Sequence, residues 1–103
     1  MYFPAQTFLV AGLSRSGIAA ARYLLGCHAK AVYLYDDVDD ENVRAARESL
    51  VALGCHALTG EDASARALAC DVLVLSPGIP IDHPLPVSFR KAGKAIVGEA
   101  ELG

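Results

Sequence analysis

The segment best suited to bind a ligand is Gly12-Leu13-Ser14-Arg15-Ser16-Gly17, which follows an apolar run and opens a helical pattern. Its first glycine permits a tight turn, and its last lets a helix pack closely on a strand. Unpaired amides in the first turn of a helix, aided by the helix dipole, bind phosphate groups. The spacing therefore predicts an anion site, and a merely tight strand–helix turn is the alternative.

Two further segments carry groups suited to a nucleotide. Asp36 follows the second apolar run about 20 residues after Gly17, where a carboxylate holds a ribose or accepts a hydrogen bond from a base N–H. The adjacent Asp37 makes this position strongly negative, which disfavours the 2′-phosphate of NADP. An equal alternative for Asp37 is a solvated turn residue without a ligand. In Ser76-Pro77-Gly78-Ile79-Pro80, the prolines stiffen the loop and Gly78 allows close approach of a ligand. The alternative is a stiff loop without a ligand.

Alternating strand and helix patterns must position these segments. Apolar runs predict five strands, and apolar spacing of three to four residues predicts the helices between them. In order, the elements are strand 7–11, helix 16–25, strand 31–35, helix 40–53, strand 55–58, helix 63–68, strand 72–75, helix 85–92 and strand 95–97. Such alternation predicts an α/β fold, a Rossmann-like doubly wound parallel sheet of five strands with helices on both faces. Gly26 and Gly54 are each predicted to close a helix in a left-handed conformation.

Composition excludes several classes of protein. The 103 residues are 53% hydrophobic and 20% charged, which predicts one globular domain. The apolar stretches are too short to cross a bilayer, and the N-terminus lacks a signal-peptide pattern, so we predict a cytoplasmic location without a membrane partner. The net charge of −3, without a basic cluster, argues against nucleic acid. The three cysteines (Cys27, Cys55 and Cys70) are predicted to be reduced and mostly buried, since their spacing does not favour zinc.

Several of these motifs together resemble a known family. In order along the chain, Val10–Gly17, Tyr35-Asp36, Ser76–Ile79, His83-Pro84 and Gly98–Leu102 are similar to the N-terminal domain of Mur ligases of the MurD type. The resemblance implies a peptidoglycan-synthesis ligase that adds D-glutamate to UDP-N-acetylmuramoyl-L-alanine, with this domain holding the UDP part.

The resemblance also implies roles for individual residues. The amides of Arg15 and Ser16 would meet the pyrophosphate, Asp36 with Asp37 would meet the uracil, and Ser76–Ile79 would line the nucleotide and sugar. A relative carries a neutral hydroxyl side chain at the position of Asp37, some relatives have glycine at that of Ser14, and they often have an apolar residue at that of Arg15. No catalytic residue and no metal ligand is assigned in this chain.

The parent ligase implied by the resemblance uses ATP and Mg²⁺, and it has central and C-terminal domains. No phosphate-binding loop of the G-x-x-x-x-G-K-[ST] type occurs here. We therefore interpret residues 1–103 as a single UDP-substrate-binding domain, an N-terminal fragment without cofactor and inactive alone. The alternatives are a MurC-type N-terminal domain, a NAD-binding module of a dehydrogenase or sensor, and a structural or dimerisation domain. Ser14, in place of the middle glycine of the dinucleotide fingerprint, argues against NAD.

Overall fold

Strands and helices alternate along the chain in a computed structural model, which describes residues 6–27, 29–38, 40–59, 63–77, 79–80 and 82–98. Within these ranges the elements are β1 (Thr7–Ala11), α1 (Arg15–Gly26), β2 (Ala31–Tyr35), α2 (Glu41–Ala52), β3 (His56–Ala57), α3 (Ala63–Ala67), β4 (Val72–Leu75), α4 (Pro84–Lys91) and β5 (Ala95–Gly98). Each predicted strand and helix is present, and β1, β2 and β4 have the predicted bounds.

The strands form one parallel sheet in the order β3-β2-β1-β4-β5. Leu9 in the central strand is paired with Tyr33 of β2 on one side and Leu73 of β4 on the other. The chain winds outward from β1 to β3 and then returns to place β4 on the opposite side of β1. Ligands of such sheets bind beyond the carboxyl ends of the strands at this reversal, here between β1 and β4.

Alternate residues of the central strand enter two different cores. Phe8 and Val10 pack in a cluster with Leu24 of α1 and Leu50 of α2. On the other face, Leu9 and Ala11 pack in a cluster to which α3 and α4 contribute, with Phe89 fully buried. Burial of both faces explains why β4 is apolar throughout and β1 is apolar from Phe8 to Ala11. The predicted doubly wound α/β fold with helices on both faces is confirmed.

The two helix-closing glycines differ. Gly54 has φ +116° and follows α2 as predicted. Gly26, however, is the last residue of α1, which is capped by Cys27 with φ −89°, so the prediction of a left-handed Gly26 is wrong. The amide of Cys27 donates to the carbonyls of Tyr23 and Leu24, which closes the last turn without a left-handed residue.

The three cysteines are free thiols, with Cys55 and Cys70 buried and Cys27 partly exposed, as predicted. Burial raises the pKa of Cys55 to about 11. It does the same for Cys70, where Asp71 adds to the effect and Lys94 opposes it. No helix among the described residues is long and apolar enough to cross a membrane.

Candidate functional site

The loops after β1 and β4 touch at Gly12, in the crevice between the two strands. Gly12 has φ +96°, and its amide donates to the carbonyl of Tyr35 over 2.9 Å. A Cβ added at residue 12 would lie 2.6 Å from Cβ of Ser76 and 3.4 Å from Cδ1 of Ile79. Both the backbone angle and the close approach require glycine. The glycine predicted to permit a tight turn also brings two loops of the site into contact.

The N-terminus of α1 begins beside this contact and is left uncapped by side chains. Ser14 is the N-cap residue, but its side chain makes no capping hydrogen bond, and the first turn carries no acidic residue. Arg15, the first helical residue, is exposed. A cation in the first turn is unfavourable for an isolated helix, because it lies at the positive end of the dipole. This helix end is therefore well suited to an anion.

The N-termini of two other helices are closed by their own side chains. In α2, Asp40 accepts a hydrogen bond from the amide of Val43 over 2.9 Å. In α4, Nδ1 of His83 accepts one from the amide of Leu85 over 3.1 Å, and proline occupies the first helical position. Among the N-caps that the structure describes, that of Ser14 alone leaves its helix amides without a side-chain acceptor.

Asp36 joins the loop after β2 to the glycine loop. Its Oδ2 accepts a hydrogen bond from the amide of Leu13 over 2.8 Å, and its Oδ1 accepts one from the amide of Val38 over 2.8 Å. Leu13 is buried, so its amide depends on this carboxylate for a partner. Each carboxylate oxygen has a second lone pair, so the group retains acceptor capacity for a ligand. Asp36 thus fixes the loop that precedes α1.

Asp37 contacts two other side chains of the chain. Its Oδ1 accepts a hydrogen bond from the hydroxyl of Tyr35 over 2.9 Å, and its Oδ2 lies 2.5 Å from Nε2 of His83. Partial burial raises the pKa of Asp37, but the hydrogen bonds from His83 and Tyr35 outweigh burial and hold this pKa below its ordinary value. The carboxylate therefore stays ionised while bridging β2 and the start of α4.

The loop after β4 is anchored at Ser76, a buried polar residue that is 5% exposed. Its amide donates to the carbonyl of Ala11 over 3.2 Å, and its carbonyl accepts from the amide of Ile79 over 3.0 Å. Pro77 is exposed, and Gly78 lies outside the described residues. A cavity of about 530 Å³ adjoins this loop; its lining comprises Leu75, Ser76, Pro77, Ile79, Arg90, Lys94, Ile96 and Gly98. That volume is in the range of small-molecule sites.

The sequence-predicted residues therefore converge, but through contacts that the sequence did not specify. Gly12 meets Ser76 and Ile79, and Asp36 meets Leu13. Ser14, Arg15, Ser16 and Gly17 form the cap and first turn of α1. The missed residue is His83, which both caps α4 and pairs with Asp37. Its sequence signal was a polar residue followed by Pro84, a pattern typical of helix starts.

The chain is similar to known proteins over most of its length. The family model described as "Mur ligase MurD-like, N-terminal domain" matches residues 6–98. Similar relatives include the UDP-N-acetylmuramoylalanine–D-glutamate ligase of Phenylobacterium zucineum, 41% identical over 97% of this chain and 20% of the relative. The enzymes of the same name from Trichlorobacter lovleyi (36%, covering 90% and 21%) and Geobacter metallireducens (32%, covering 99% and 22%) are also similar. The chain thus spans about one fifth of the length of these relatives.

Proposed function

The chain belongs to the Mur ligase family as a MurD-like N-terminal domain, and from this premise we propose that it binds the UDP part of UDP-N-acetylmuramoyl-L-alanine. The observation that carries the proposal is the uncapped N-terminus of α1, which opens at the crevice between β1 and β4. Relatives with D-glutamate ligase names favour the MurD type over the MurC alternative.

The pyrophosphate would lie at the first turn of α1. The amides of Arg15 and Ser16 belong to a first turn that carries no acidic side chain and is not capped by Ser14. The guanidinium of Arg15 is exposed beside them and adds positive charge. Because Leu13 is held by Asp36, the glycine loop is fixed before the ligand arrives, which lowers the entropic cost of binding.

The base and the sugar would lie against the loops after β2 and β4. Asp36 offers its remaining lone pairs to the uracil N–H, and its two backbone partners fix the direction of its carboxylate. Ser76–Ile79 would line the nucleotide and sugar, beside the cavity of about 530 Å³. The contact between Gly12 and Ser76 sets the distance between the two walls of the crevice.

The chemical step of the parent ligase would take place outside these 103 residues. We propose that ATP and Mg²⁺ act in the central and C-terminal domains, where ATP would drive formation of the amide bond to D-glutamate. This chain would bind and orient the substrate. Phosphate release from the 103-residue chain with UDP-N-acetylmuramoyl-L-alanine, ATP, Mg²⁺ and D-glutamate should stay at background, and turnover by this chain alone would contradict the proposal.

The first test is a titration of the 103-residue chain followed by amide chemical shifts. UDP should shift the amides of Gly12–Gly17, whereas NAD at the same concentration should not. The reverse result would identify a dinucleotide-binding module and overturn the proposal.

A pair of variants isolates the backbone contribution at Arg15. Arg15→Pro removes both the guanidinium and the amide, whereas Arg15→Ala removes the guanidinium alone. Proline is tolerated at the first helical position, and Ser14 before it is extended with ψ 179°, so α1 should persist. Loss of a hydrogen bond to a charged group should weaken UDP binding by roughly 10- to 100-fold relative to Arg15→Ala. Equal affinities would place the pyrophosphate elsewhere.

A further inference from the structure

One side-chain pair ties the loop after β2 to the start of α4. Nε2 of His83 lies 2.5 Å from Oδ2 of Asp37, across 46 residues of sequence. The His83 side chain is 19% exposed and that of Asp37 is 53% exposed, so the pair lies at the rim of the molecule. Both residues line a second cavity of about 230 Å³, and its other lining residues are Tyr35, Leu68, Pro84, Leu85 and Ser88.

The hydrogen bonds of the His83 imidazole determine which of its ring nitrogens carries the proton. Because Nδ1 accepts from the amide of Leu85, the proton of the neutral ring is on Nε2. Nε2–H therefore donates to Asp37, whose other oxygen accepts from the hydroxyl of Tyr35. Both carboxylate oxygens of Asp37 thus accept hydrogen bonds from side chains of its own chain.

The two adjacent aspartates hold opposite ends of the site. Asp36 holds the glycine loop through Leu13, and Asp37 holds the start of α4 through His83. The loop from Ser76 to His83 is fixed at its first residue by the contact with Gly12 and at its last by Asp37. The pair thus adds a side-chain tie at the end of this loop, where Leu85 and Phe89 of α4 are already buried in the core.

We infer that Asp37 and His83 are positioning residues of the nucleotide site, which hold the loop after β4 in its binding arrangement and do not themselves contact the ligand. This inference rests on the proposed function and gives Asp37 a role different from the uracil contact that the resemblance implies. The pair contributes affinity through preorganisation, since a loop that is already ordered loses less entropy when the ligand binds.

Two substitutions break the pair from opposite sides. His83→Asn keeps an acceptor for the amide of Leu85, because asparagine is a favoured N-cap residue, but it removes the Nε2–H donor. Asp37→Ala removes the acceptor. We expect each variant to weaken UDP binding by roughly three- to tenfold, and the double variant to bind no more weakly than either single one. Asp82→Asn, which removes one exposed negative charge beside the pair, should leave UDP affinity unchanged.

A measurement without ligand separates this inference from the proposed function. In the free chain, His83→Asn should speed hydrogen exchange at the amide of Ile79 by roughly three- to tenfold and leave that of Leu13 unchanged. If Asp37→Ala weakens UDP binding and His83→Asn does not, Asp37 contacts the ligand and the inference is overturned. Unchanged affinity and exchange in both variants would also overturn it. A parent chain that does not bind UDP but shows the expected exchange would refute only the proposed function.

Discussion

Replacing Gly12 with alanine should lower the free energy of unfolding by roughly 2–6 kcal/mol, from two separable causes. The first is backbone strain at φ +96°, which costs a residue with a Cβ about 1–3 kcal/mol. The second is overpacking, since the new Cβ would lie 2.6 Å from Cβ of Ser76, at about 1–3 kcal/mol. Ser76 is buried and its amide donates a hydrogen bond to the carbonyl of Ala11, so it cannot readily move aside. A loss of this size is a large part of the roughly 5–15 kcal/mol of a typical domain.

Two other glycines provide matched controls for this substitution. Gly54 has φ +116° but nothing within 4 Å of an added Cβ, so Gly54→Ala should show backbone strain alone, at about 1–3 kcal/mol. Gly26 lies in α1 in open space, and Gly26→Ala should raise stability by about 0.5–1 kcal/mol.

Urea denaturation with linear extrapolation measures all three variants on one scale. Adding Ser76→Gly to the Gly12→Ala variant removes the clashing atom and should recover most of the overpacking cost. If Gly12→Ala is no less stable than Gly54→Ala, the close contact between the loops after β1 and β4 does not exist in solution.

Three further outcomes follow from hydrogen bonds and burial. Asp36→Ala should lower the free energy of unfolding by about 1–3 kcal/mol in urea denaturation, because the buried amide of Leu13 loses its acceptor; an unchanged midpoint would contradict this. The backbone amide of Thr7, and then its hydroxyl, lower the pKa of Asp71. The stability from this contact should be present above about pH 4 and lost as the pH falls below that value. Asp71→Asn should therefore flatten the dependence of Tm on pH between about pH 5 and 2. An equal slope in the parent chain and the variant would refute this prediction. A thiol reagent at pH 8 should modify the partly exposed Cys27 of the native chain well before Cys55 and Cys70. Burial shields the latter two thiols and keeps them protonated. Equal rates of modification at all three would contradict the burial described for them.

The fold was predictable because its determinants are local. Strand β1 is apolar from Phe8 to Ala11 and is followed by a glycine, so its end at Ala11 was evident from the sequence. The predicted helix 40–53 begins within one residue of α2, whose N-cap is Asp40. The wrong prediction at Gly26 shows the limit of such signals. Gly26 remains within α1, with nothing packed against it, and the helix is capped by Cys27 instead.

The contacts within the site were not predictable because they join residues far apart in sequence. Asp36 was identified from its distance to the glycine loop, but nothing local indicated that its carboxylate would bind the amide of Leu13. His83 was noted only as part of a motif, and its partner Asp37 lies 46 residues earlier. Such pairings depend on the sheet order, which places the ends of β2 and β4 on either side of β1.

The central position of β1 has a consequence for synthesis of the chain on the ribosome. Among the described strands β1 is made first, yet its second neighbour, β4, begins at Val72. Until β4 emerges, an apolar strand exposes one edge with unpaired hydrogen-bonding groups, the kind of surface that drives association between chains. The contact between Thr7 and Asp71, across 64 residues, lies where β1 and β4 begin to pair. One edge of β1 therefore lacks its native partner until more than two thirds of the 103 residues have been translated.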